Sequence, residues 1–196
     1  MQVIKDNTTY QEEIKHSKFI TLLYKVNNMD DVNYYLKKVR EDYKGATHYC
    51  YAFNLINTSG YSDDKEPKNT AGRPMLFILT SNNIINILVV SVRYFGGIKL
   101  GTGGLLKAYT NGLLESLKKS ILLNVVSGYL ITCEFSYENE KKYSYLFKDK
   151  NILSKVYQDR CIYTLEVDET FLDSLTNLPD LNITNRVKQL IEDRSI

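Results

Sequence analysis

The sequence predicts an α+β chain of two domains, residues 1–124 and 125–196. Three observations carry that expectation. Residues 1–120 hold 16 Lys and Arg against 11 Asp and Glu, whereas residues 121–196 hold 9 against 12, so the charge changes sign along the chain. Nine of the ten glycines fall at or before position 112. The C-terminal stretch reads strand, helix, strand, strand, helix, strand, the order of a ferredoxin-like split βαβ unit.

The elements follow in order. Ser17 to Val26 is amphiphilic and rich in β-forming residues, so it predicts a first strand. Met29-Asp30-Asp31 opens a helix: acidic residues suit its N-terminus, Val32, Tyr35, Leu36 and Val39 recur at helical spacing, and Gly45 ends it. From Thr47 to Ile56, His48, Cys50, Ala52 and Asn54 alternate with Tyr49, Tyr51, Phe53 and Leu55, predicting a strand with one strongly apolar face. Residues 57–72 are polar and turn-forming, and a loop of that length in a compact domain is usually functional or mobile. Pro74 fits the first turn of a short helix carrying Met75, Leu76, Ile78 and Leu79. The β-branched run 84–92 predicts a strand covered on both faces. Residues 96–104 then read as a glycine loop and Leu105 to Leu117 as a helix. The second domain follows as strand Tyr129–Phe135, helix Glu138–Phe147, strand Ile152–Gln158, a turn at Asp159-Arg160, strand Cys161–Val167, helix Thr170–Leu178 and strand Ile183–Ile191. Helical periodicity would also fit the last of these.

Composition narrows the function classes. With 43% hydrophobic and 24% charged residues among 196, the chain can bury a core without staples. Cys50, Cys133 and Cys161 form no CxxC pair, which disfavours a disulfide framework or a zinc site. The N-terminus has no apolar signal region, and the run from Ile84 to Phe95 is shorter than the ~18–20 residues a membrane crossing needs. A cytoplasmic protein without membrane contact is expected. The excess of five positive charges in residues 1–120 is too mild to establish nucleic-acid binding by itself.

The richest segment is RYFGGIKLGTGG, residues 93–104. Gly96, Gly97, Gly101, Gly103 and Gly104 permit close backbone approach, and the following helix offers free N–H groups to an anion. With Arg93, Lys99 and Lys107, and with Thr102 inside the run, this is the candidate phosphate-binding site. A tight structural connection is the competing reading. Neither the Walker A nor the Rossmann spacing is met. His48, Asp63, Asp64, Glu66 and Thr70 form a candidate polar cluster, with a solvated loop as the plainer reading; no metal site is expected there, although Asp63, Asp64 or Glu66 would hold Mg²⁺ if the chain transferred phosphoryl groups. Tyr51 and Tyr94 are candidate base-stacking residues. No nucleophile-base-orienter set is evident, so catalytic residues stay unassigned.

These residues resemble the YigZ/IMPACT family over nearly the whole chain. The likeness rests on E-I-K-x-S-x-F (Glu13 to Phe19), A-T-H-x-C (Ala46 to Cys50), S-D-D-x-E-P (Ser62 to Pro67), T-A-G-x-P (Thr70 to Pro74), the run Arg93 to Leu105, and Ala108-Tyr109. Lys65 stands where the family pattern has glycine, and Lys107 where it has arginine, which keeps the charge but loses a bidentate fork. The resemblance implies an N-terminal βα fold like the second domain of ribosomal protein S-five, shared with elongation factor G and the GHMP kinases. It also implies a ferredoxin-like C-terminal domain like the last domain of elongation factor G. Eukaryotic members regulate translation through an additional N-terminal RWD domain, which is not expected here because the motifs begin at residue 13. The leading expectation is therefore a binding protein associated with RNA, the ribosome or translation factors, needing no firm cofactor. A phosphoryl-transfer enzyme on a GHMP-like scaffold and a protein–protein adaptor are the alternatives.

Overall fold

The computed structural model describes residues 1–193, and the chain divides into two compact units, Met1–Leu123 and one that begins at Asn124. The architecture is α+β with two sheets.

The first unit contains β1 (Gln2–Ile4), β2 (Thr8–Ile14), β3 (Ser17–Lys25), α1 (Met29–Asp42), β4 (His48–Asn54), β5 (Ser59–Ser62), α2 (Gly72–Ser81), β6 (Ile87–Tyr94) and α3 (Gly101–Lys119). Its main sheet runs β2-β3-β6-β4-β5, antiparallel throughout. The run of β-branched residues puts β6 at the centre, with every residue from Ile87 to Arg93 buried. One face packs Leu23, Ala52, Ile87 and Val89 against α2 and α3. The other packs Ile20, Leu22, Leu88, Val90 and Val92 against Val32 and Val39 of α1. The side chain of Asn28 caps α1 by accepting from the Asp31 N–H (2.9 Å), and the Asp31 carboxylate reaches back to the Asn27 N–H (2.7 Å).

The structure departs from the sequence reading at several points. β1, β2 and β5 are additional strands, and β5 lies inside the polar stretch 57–72. Strand β4 is buried on both faces rather than one: Cys50 and Ala52 are the fully buried pair, while Tyr49 and Tyr51 stay half-exposed. Helix α3 starts at Gly101 and not at Leu105, so three glycines form its first turn.

The second unit contains β7 (Leu122–Phe135) from its third residue onward, a 3₁₀ turn at Tyr137–Asn139, α4 (Glu140–Leu146), β8 (Asn151–Tyr157), β9 (Cys161–Val167), α5 (Glu169–Leu175) and β10 (Asn182–Glu192). Its strands order as β8-β9-β7-β10 with antiparallel neighbours, the ferredoxin-like arrangement. Phe135, Tyr143, Phe147 and Tyr163 fill its core beneath the helices.

Candidate functional site

The family-like motifs meet on the α2/α3 side of the first sheet. Alternation along β6 aims Ser91 and Arg93 to that side and Tyr94 to the other, and alternation along β4 likewise separates His48 and Cys50 from Tyr51.

A buried carboxylate organises the centre. Glu66 Oε1 accepts from Arg93 at 2.6 Å and from the Tyr109 hydroxyl at 2.7 Å. Arg93 is 5% exposed, its second terminal nitrogen lies 3.5 Å from Ser17 Oγ, and its Nε has no partner. His48 Nδ1 lies 2.7 Å from the Asp64 carbonyl, which can only accept, so Nδ1 carries the proton. Its Nε2 faces Glu66 Oε1 at 3.8 Å, beyond hydrogen-bond reach. The Cys50 thiol donates to the Asp63 carbonyl at 3.1 Å, and burial pushes it up to about 12, so it is no nucleophile at neutral pH. Burial, reinforced by the negative field of Glu66, likewise raises Tyr109.

The remaining acidic residues tie down the loop. The two oxygens of Asp63 accept from the backbone N–H groups of Asn69 (2.8 Å), Ala71 (3.1 Å) and Gly72 (2.8 Å), fixing the start of α2. Asp64 Oδ2 accepts from the Tyr49 N–H at 2.7 Å, and Thr70 donates to the Pro67 carbonyl at 2.6 Å. Asp64 and Lys65 adopt φ of 40° and 68°. Lys65 thus holds the left-handed geometry that glycine adopts without steric cost, so the loop keeps its turn at an expense of ~1 kcal/mol. Each of the three carboxylates thus accepts from at least one protein donor.

The glycine segment lies at the edge of this network. Its entry is pinned: Gly96 donates to Ser17 Oγ at 3.2 Å, and a Cβ on Gly96 would sit 2.0 Å from the His16 carbonyl group. Gly101 has φ of 74°. Gly103 differs from both, because a Cβ there would meet nothing within 4 Å and its backbone needs no glycine. No side chain caps α3, so its first N–H groups point outward beside exposed Gly101, Thr102 and Gly103. Gly97, Lys99 and Lys107 are exposed as well, and Gly104 and Lys107 line a cavity of about 510 Å³.

The predicted site residues therefore divide. Lys99, Thr102, Gly103 and Lys107 are all exposed, Lys99 ahead of α3, Thr102 and Gly103 in its first turn and Lys107 four residues after Gly103, whereas Arg93 is buried and committed inward to Glu66. His48, Asp63, Asp64, Glu66 and Thr70 do come together, as a clamp on the loop. Tyr51 and Tyr94 lie on the α1 side, half-buried against the aromatic cluster there, and are not on the same surface as α3. Sequence reasoning missed Ser17, which joins the hairpin turn to both Gly96 and Arg93, and the polar role of Tyr109, which reads as core packing. No group of three or more His, Cys, Asp or Glu suited to a metal ion occurs among the described residues. No helix among them is long and apolar enough to cross a membrane.

Comparison with known proteins places these motifs. The Impact N-terminal domain model matches residues 15–117. An IMPACT family member of Haemophilus influenzae is 41% identical over 121 residues, covering 59% of this chain and 59% of that protein. YigZ of Escherichia coli, also an IMPACT family member, is 38% identical over 134 residues, covering 65% and 66%. A crystal structure of a hypothetical protein superposes with a TM-score of 0.64 at 30% identity, covering 93% of this chain and 95% of that one. The chain thus spans about 59% of the length of its Haemophilus relative. The family match covers more than half of the sequence and includes the hairpin turn, the buried Glu66–Arg93 pair and the glycine-started helix, so the chain belongs to the IMPACT family.

Proposed function

We propose that this chain is a non-enzymatic binding protein of the translation apparatus whose first unit holds RNA phosphate at the start of α3. The observation that carries the reading is Gly103. The fold has no use for its missing side chain, yet a phosphate approaching the N–H groups of the first turn needs that space. Lys99 and Lys107 flank the position with exposed ammonium groups and Thr102 adds a hydroxyl. The inward network of Glu66, Arg93 and Tyr109 serves as a rigid support, holding β6 and α3 so that the segment between them keeps one shape. The role in translation rests on the family resemblance.

The test is fluorescence anisotropy with a structured RNA at about 50 and 200 mM salt, using the natural sequence, Lys99→Ala/Lys107→Ala and Gly103→Ala. Affinity should fall steeply with salt, and in the lysine variant the salt slope should flatten by about one unit for each phosphate left without its ammonium partner. Gly103→Ala should weaken binding without lowering stability. RNA affinity indifferent to all three changes would remove the reading. A Mg²⁺-dependent thermal shift with ATP would favour the phosphoryl-transfer alternative instead.

A further inference from the structure

Helix α3 is apolar on two sides. Leu105, Ala108, Tyr109 and Leu113 are buried in the core, yet Leu106 and Leu114 on the outer face stay 42% and 43% exposed. With Thr110 they make a stripe at four-residue spacing, and an apolar stripe on each side of a helix implies a second partner. Two depressions flank it. That of about 410 Å³ lies toward α2 and includes Phe77, which is 71% exposed. That of about 510 Å³ lies toward the β2–β3 turn, and Thr110 lines both. Arg73 lines the first, Lys15 and Lys107 line the second, and no Asp or Glu lines either; Glu12 sits behind the lining of the second, where its carboxylate accepts from Asn111 Nδ2 at 3.3 Å. All three cations are exposed and form no ion pair with a carboxylate among the described residues.

We infer that this α2–α3 face docks an acidic amphipathic helix of a partner protein. Leu106 and Leu114 accept branched aliphatic anchors and give a nucleobase little to stack on, and the exposed Phe77 ring, which could take either, is why oligouridine is measured beside the peptide. Leu106 and Leu114 stand about 12 Å apart along the axis, so the partner's anchors lie about two turns apart, with carboxylates on both flanks to meet Arg73, Lys15 and Lys107. The inference stands independently of the RNA reading, although Lys107 borders both surfaces. Two ligands of like charge would then exclude one another there.

The probe is a fluorescein-labelled peptide of about 16 residues with Leu at i, i+4, i+7 and i+11 and Glu elsewhere, titrated into the full chain. A twin peptide with Lys in place of Glu and a labelled oligouridine are measured alongside. The acidic peptide should bind and its twin should not. Phe77→Ala and Leu114→Ala should each weaken the peptide about tenfold and leave oligouridine affinity and melting temperature unchanged, both side chains being exposed. Lys99→Ala should do the reverse. No binding of the acidic peptide, equal binding of both peptides, or peptide binding unmoved in the Phe77→Ala/Leu114→Ala double variant overturns the inference. Loss of oligouridine affinity in that double variant also overturns it, and assigns the face to RNA.

Discussion

Replacing Glu66 by Gln tests how the first unit is held together. The substitution keeps the shape and an acceptor but removes the charge facing Arg93, which is 5% exposed and otherwise has a 3.5 Å approach to Ser17 and the rings of Phe19 and Phe95 at 5.3 and 5.4 Å, none of them a counter-charge. A buried cation stripped of its counter-charge costs about 3–5 kcal/mol, a large share of the ~5–15 kcal/mol by which a typical domain is stable. Tyr109→Phe, which removes one hydrogen bond to that carboxylate, should cost less, about 1.5–3 kcal/mol. Glu66→Leu/Arg93→Met removes both charges and fills the space with apolar atoms, so it should cost far less than the two single changes together. Because two units can unfold separately, the readout must be local. Native-state hydrogen exchange of β6 peptides reports the first unit, with peptides from β9 as the internal control. If Glu66→Gln costs less than about 1 kcal/mol in β6, or the double change costs as much as the two singles added, the ion pair is not the support described above.

Three further outcomes follow from the same geometry. Gly96→Ala should destabilise the first unit by more than about 2 kcal/mol, because its Cβ meets the His16 backbone, whereas Gly103→Ala should be neutral or stabilise by up to ~1 kcal/mol; urea melts of both variants check the contrast. An aromatic disulfide reagent at pH 8 should label none of the three buried thiols in the native protein and all three in denaturant, and rapid labelling of Cys50 in the native state would contradict its place beneath Asp63. In the second unit Asp180 is held below the usual carboxylate range by the Ser136 side chain and N–H, with Arg160 and the Asn139 amide adding to them. A depressed folded value means that its stabilisation is present above the unfolded value near 3.9 and is lost as pH falls toward the folded one. Asp180→Asn should therefore flatten the acid side of the stability profile below about pH 4, and an unaltered acid limb would dissociate that carboxylate from it.

The elements legible in the sequence were those with strong local patterns. The β-branched run of β6 and the acidic start and helical spacing of α1 announce themselves, and the second unit is legible in its order of strand, helix, strand, strand, helix, strand. Strand β2 carries no comparable signal: it is an edge strand of mixed polar residues joined to β3 by Lys15-His16, a turn with φ of 47° and 63° made without glycine or asparagine. Strand β5 has four residues and only Tyr61 of any size. At the site, residue type marked the right positions but not their direction. Arg93 beside a glycine loop reads as a phosphate ligand, and only the pleat of β6, which turns it toward Glu66 on a loop 27 residues earlier, makes it internal. Tyr51 and Tyr94 fall on the face away from α3 for the same reason of parity. Gly103 carries its information by what it does not touch, which no sequence records.

The position of β6 also bears on how the chain leaves the ribosome. Strands β3 and β4 do not pair with each other; each pairs with β6, which is made after both. Until residues 87–94 emerge, the apolar side chains of β3 and α1 have no central strand to close upon. At about 5–20 residues per second this leaves the nascent first unit open for several seconds. The β2–β3 hairpin, β4–β5 hairpin and α1 are local and can form during that wait, so the synthesis of a single strand converts separate pieces into a sheet.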